Sequence, residues 1–174
     1  MATMILLPDG TGLASANWVA VGEGTRHECL DDDNDGTSYV KSSTNLVSMI
    51  IEFADPSVAE TDIASIDSVR FLSCGKSIHR TDPSAVRIGY QVPSGNPVEV
   101  CSYDAHRTNY ETINGTARTA SAVGNPWTYA NLENLEMIII KVLTVEVYLS
   151  YLALEVTYTA AVTADNAIFF GANF

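Results

Sequence analysis

The sequence predicts an all-β protein: a jelly-roll-like antiparallel β-sandwich of about eight strands, with one short helix before the last two. Val, Thr and Ile recur along the chain in short runs, the residue types that suit a pleated, half-buried surface. Clusters of Gly, Pro, Asn, Asp and Ser separate those runs and mark turns. Only one segment carries a helix start. An immunoglobulin-like sandwich fits less well, since no pair of cysteines brackets a core tryptophan.

The first candidate strand, 18–21, lies in NWVAVG, and the second, 38–41, follows the Asp-rich turn at 31–36. The third, 47–53, reads VSMIIEF. The fourth, 66–74, runs into the turn SCGKS, and the fifth, 85–92, lies between RTDPS and PSGNP. The sixth is 98–103, ahead of the INGT turn at 113–116. The helix is expected in YANLENLE: Thr128 caps it, Asn131 lies three residues on, and Leu132 and Leu135 share a face. The last two strands are 137–142 and 145–158. In the final one Tyr148, Leu152, Leu154, Val156 and Tyr158 share one parity, while Val145, Val147, Leu149, Tyr151 and Ala153 fill the other. Such two-sided apolarity predicts a strand covered on both faces, by a second sheet and by a neighbour or the chain's own tail.

At 174 residues the chain is one domain's worth of polypeptide, divided as an N-terminal arm over 1–13, the sandwich over 14–158 and an apolar tail over 159–174. Apolar residues make up 47% and charged ones 17%, which excludes a disordered chain and a coiled coil. The 9 Lys and Arg against 21 Asp and Glu give a net charge of −12. No basic stripe is available to neutralise phosphates, so nucleic acid and anionic membrane are excluded as partners. The most apolar stretch, 137–154, is interrupted by Lys141 and Glu146 and is no membrane span. With no basic n-region before Arg26, no export signal is expected. Cys29, Cys74 and Cys101 are odd in number, lack a CxxC spacing and read as buried free thiols.

Motifs that carry chemistry are few. Asp31, Asp33, Asp35 and Gly36 match the first half of an EF-hand loop, yet Ser42 stands where a bidentate Glu belongs. A looser calcium site on Asp31, Asp33 and Asp35 and a solvated Asp-rich turn are both open; no other cofactor is called for. His27 and Cys29 are spaced to face one side of a strand but lack an orienting third group. The pairs Asp62 with Asp67 and Glu133 with Glu136 read as ordinary surface charge before hydrolase carboxylates. The sequence therefore predicts no enzyme. Trp18 and Trp127 read as core anchors whose indole N–H finds a backbone carbonyl, with glycan stacking as the alternative.

The succession NWVAVG, ECLDDDNDGTSYV, SMIIEFADPS, IDSVRFLS, VRIGY, GNPWTYANLENLEMIIIKV and YLSYLALEVTYT resembles a group of tailed-bacteriophage virion proteins, over residues 17–158. The resemblance implies a jelly-roll or sandwich module that decorates a head or tail, made in the host cytoplasm and resident in the virion, with no catalytic residue. Its partners would be other virion subunits and copies of itself. The tail TAAVTADNAIFFGANF departs from the group's pattern. Ile168, Phe169, Phe170 and Phe174 would expose an apolar patch unless docked, on their own sandwich or on an adjacent subunit. The alternative function is a host-surface or glycan recognition module of a tail fibre, stabilised by calcium and gripping sugar with Trp127 or Tyr129.

Overall fold

The computed structural model describes residues 1–14, 17–22, 24–31, 37–44, 46–77, 86–91, 98–103, 109–121, 124–141 and 146–162. They form eleven strands: β1 (Ala2–Leu6), β2 (Pro8–Ala14), β3 (Val19–Val21), β4 (Tyr39–Ser42), β5 (Val47–Phe53), β6 (Ile63–Ser77), β7 (Val86–Gln91), β8 (Val98–Tyr103), β9 (Glu111–Asn114), β10 (Glu136–Lys141) and β11 (Val147–Ala160). One helix, α1 (Tyr129–Glu133), precedes β10. Among the described residues no helix is long and apolar enough to cross a membrane.

The strands make two antiparallel sheets packed as a β-sandwich. One runs β2-β5-β10-β7-β8 and the other β3-β4-β11-β6-β9, with β1 added beside β11. The inner faces follow the alternation of apolar residues. In β5, Val47, Met49, Ile51 and Phe53 point in while Ser48 and Glu52 face out. Met137 and Ile139 of β10 meet Phe71 and Val69 of β6 in one core cluster. Across it, Phe71 stacks on Tyr90 with centroids 5.2 Å apart, and Tyr90 meets Trp127 at 5.3 Å. These contacts tie the sheets together beyond area burial alone.

The segment 1–13, expected as an arm, supplies strands to this chain's own sheets. β1 pairs with the end of β11 from Ala2↔Tyr158 to Leu6↔Leu154, and β2 lies beside β5. The expected helix is present with its capping box: the Asn131 amide donates to Thr128 Oγ1 at 3.2 Å, and the Thr128 amide donates to Asn131 Oδ1 at 3.2 Å.

The two parities of β11 have a local cause. Leu149 pairs with Gly75 and Tyr151 with Cys74, so Ser150 is an extra residue in the strand. Before it Val147 and Leu149 point into the core; after it Leu152, Leu154, Val156 and Tyr158 do. The bulge switches the parity of one buried face, which replaces the expected cover on both faces as the account of this segment.

One edge of β11 is shared end to end. β4 pairs with residues 147–149, the Leu30 carbonyl accepts from the Leu152 amide at 2.8 Å, and β1 takes the remainder. The loop after β3 is thereby stitched into the sheet, with Cys29 and Leu30 buried.

Candidate functional site

The flank between the two sheets, where β3 ends one and β2 the other, holds a cleft of about 500 Å³. Thr11 reaches it from β2, Trp18, Val19 and Ala20 from the start of β3, and Gly24, Thr25, Arg26 and His27 from the following turn. Gly22 makes that turn geometrically feasible. Its φ is +109°, and a Cβ there would stand 2.9 Å from both the Ser38 Cα and the Thr37 carbonyl oxygen.

The turn is held by side chains. Thr25 donates its amide at 2.7 Å and its hydroxyl at 2.6 Å to the Glu28 carboxylate, and these bonds hold the Glu28 pKa below its usual range. With its only proton given to Glu28, the Thr25 oxygen is left as an acceptor toward His27 Nδ1, 3.2 Å away. The Thr11 hydroxyl lies 3.4 Å from the same nitrogen, linking β2 to the turn. Arg26 donates Nε to the Trp18 carbonyl at 2.6 Å. The cleft thus combines an apolar wall with hydroxyls, an imidazole and a guanidinium, the mixture by which concave sites orient polar ligands.

A second cluster lies on the outer face of the sheet that contains β11. Tyr39 and Tyr148 meet edge to face at 5.4 Å, and Lys76 Nζ sits 4.4 Å from the Tyr110 ring centroid and 5.1 Å from that of Tyr148. Lys41 pairs with Glu146 at 3.4 Å, and Glu146 hydrogen-bonds Tyr148. The lysine already occupies the ring faces, so this cluster offers a ligand less than the cleft does.

Of the residues the sequence singled out, Asp31 is half-buried at the end of the loop, whereas Asp33, Asp35, Ile168, Phe169, Phe170 and Phe174 lie outside the described residues. Among the described residues no cluster of His, Cys, Asp or Glu is arranged to hold a metal. His27 and Cys29 do not act on each other in the observed bonding: Cys29 donates its thiol to the Val21 carbonyl at 3.8 Å, and the imidazole faces threonine hydroxyls. Asp67 accepts from Ser65 and Thr159, each at 2.9 Å. Glu133 and Glu136 line a groove of about 230 Å³ with Asp9 and Glu52.

Trp127 is 4% exposed and donates its indole N–H to the Arg118 carbonyl at 2.8 Å, as a core anchor should. Trp18 is fully buried, but its indole N–H has no partner among the described residues, where a carbonyl was expected. Burial removes both tryptophans as stacking platforms. Tyr129 is half-buried, with its hydroxyl donated to the Val58 carbonyl at 3.1 Å. Sequence reasoning missed Thr11, Thr25 and Arg26.

No family model matches the chain, and no curated protein matches it. Among solved structures it is similar to the CBM22-1 xylan-binding domain of Xyn10C from Paenibacillus barcinonensis, at 11% identity and a TM-score of 0.44, covering 90% of this chain and 95% of that one. A CBM4 structure is similar at 13% identity and a TM-score of 0.35, covering 83% and 95%. The fold itself rests on the strand pairings described above.

Proposed function

We propose that the chain is a non-catalytic recognition module that takes a polyhydroxylated ligand, a glycan, in the cleft between β2 and β3. The observation that carries this reading is the make-up of the cleft. Sugars present hydroxyls at their rims and C–H groups on their faces, so a site for them needs donors and acceptors beside apolar surface. Thr11, Thr25, Arg26 and His27 supply the former; Val19 and Ala20, backed by Trp18, supply the latter. The grip differs from the one expected from Trp127 or Tyr129, since it relies on hydrogen bonding more than on stacking.

The test is a panel of immobilised oligosaccharides probed with the protein and with Thr11→Val, which keeps volume and removes the hydroxyl. Retention of at least one glycan, weakened by the substitution while the urea midpoint holds, is the expected result. Absence of binding across the panel would refute the reading.

A second reading, an outer capsid decoration or tail accessory subunit that self-associates and docks on a viral lattice, is favoured by the outer edge of β1. Among the described residues that strand pairs only with β11, and Ile5 and Leu7 beside the edge are 45% and 39% exposed. The motif order over 17–158 supports the same setting, and a glycan cleft is compatible with it. Light scattering should then detect association that Ile5→Lys removes; a monomer at high concentration would count against it.

A further inference from the structure

We infer that the ligand of this cleft carries a carboxylate, making the recognised class an acidic glycan, and that Arg26 is the residue that selects it. The inference rests on the glycan reading above and goes further by naming the class of sugar.

The argument begins with charge. Acidic residues outnumber Lys and Arg by 21 to 9 along the chain, yet none of the described residues lining the cleft is acidic and one of them is an arginine. A neutral sugar needs no cation. The guanidinium is also oriented: Nε donates to the Trp18 carbonyl at 2.6 Å, which fixes its plane, while the terminal Nη donors have no partner among the described residues. An Arg tethered at Nε and open at its outer edge presents the fork that fits a carboxylate with paired bonds. The nearest described acid in sequence, Glu28, is engaged by the amide and hydroxyl of Thr25 and does not line the cleft. Among the described residues its carboxylate makes no ion pair with Arg26. The His27 ring and the Thr11 hydroxyl stand alongside to take sugar hydroxyls. Because the remainder of the chain is strongly acidic and repels an anionic chain at a distance, discrimination falls on this one contact.

Calorimetric titration with oligogalacturonates, with the methyl esters of the same oligomers and with neutral xylo-oligosaccharides tests the inference. The acid should bind at least about tenfold more tightly than its ester, the factor a charge-assisted hydrogen bond gives. Arg26→Gln should abolish that preference, bringing the affinity for the acid to that for its ester, and Arg26→Lys should restore part of it. Equal affinity for acid and ester, or a preference that survives Arg26→Gln, would overturn the inference and leave a neutral-glycan cleft standing. Binding of none of the three probes would overturn the inference, and the glycan panel would then decide the parent reading separately. Should Arg26→Gln fail to fold, the comparison of acid with ester on the unaltered protein decides alone.

Discussion

Gly22 lies so close against Ser38 that a side-chain carbon on it would stand 2.9 Å from the Ser38 Cα, with the chain already turned to a φ of +109°. The contact couples the exit of β3 to the entry of β4, and the cleft residues Gly24 to His27 hang from it. Gly22→Ala meets both a clash with backbone and an unfavourable φ, costs of about 1–3 kcal/mol. We expect a lower urea midpoint and weaker ligand binding together. An unchanged midpoint would show that the turn has room.

Leu30 is fully buried, and its carbonyl bonds to Leu152 in the middle of β11. Leu30→Ala removes side-chain packing and should destabilise the fold by about 2–5 kcal/mol. Hydrogen exchange of the Leu152 amide should quicken by more than that of Leu154, which lies within the β1 pairing. Equal changes at both would indicate only a global effect.

The capping box on α1 uses Thr128 and Asn131 on a helix of 5 residues. Thr128→Ala removes the side-chain acceptor of the Asn131 amide, leaving it the Thr128 carbonyl at 3.0 Å, and should cost about 1 kcal/mol, read as a shift in the chemical unfolding midpoint. Leu132 and Leu135 anchor the segment in the core, so the fold should survive the substitution.

Tyr110 has a buried hydroxyl without a partner among the described residues, and burial pushes its pKa well up. Leaving such a group unsatisfied costs about 1–3 kcal/mol, so Tyr110→Phe should be neutral or stabilising. A clear loss of stability would mean that the hydroxyl has a role the observed contacts do not explain.

Tyr148 is pushed up to about 12 by burial first and then by its hydrogen bond with Glu146, against 10.0 for a free tyrosine. Between those values the unfolded chain sheds a proton that the native chain keeps, so this contribution to stability is complete below pH 10 and falls as pH rises toward 12. Unfolding midpoints across that range should drop, and Tyr148→Phe should flatten the slope. A slope unaffected by the substitution would assign the alkaline loss to Tyr110 or Tyr90, both also raised by burial.

Much of the fold was legible because local chemistry and burial agree. The bounds of β5 and β8 and the Thr128 cap were read directly from alternating apolar residues, turn clusters and the spacing to Asn131. β2 was hidden because Pro8, Gly10 and Gly12 read as turn residues, yet an edge strand tolerates them; a Cβ on Gly12 would meet Ile50 and Glu52 at 3.1 Å. β9, ETIN, is too short and polar to register as a strand. The candidate site was the least legible part. Its residues come from β2, β3 and the following turn, brought together only because β2 and β3 end different sheets. His27 and Cys29 stand out in the sequence by reactive residue type, whereas Arg26 carries no local mark; what orients it is the Trp18 carbonyl.

Ser150 makes β11 tolerant of one particular deletion. Removing it would join Leu149 to Tyr151 and restore a regular pleat with Leu152, Leu154 and Val156 still facing inward, whereas a strand that kept Ser150 but ironed out the bulge would drive Tyr151, Glu155 and Thr157 inward and turn those three out to water. A homologue lacking this one position can keep the second half of the strand unchanged, while a single residue lost elsewhere between Val147 and Val156 would force that half to be rewritten.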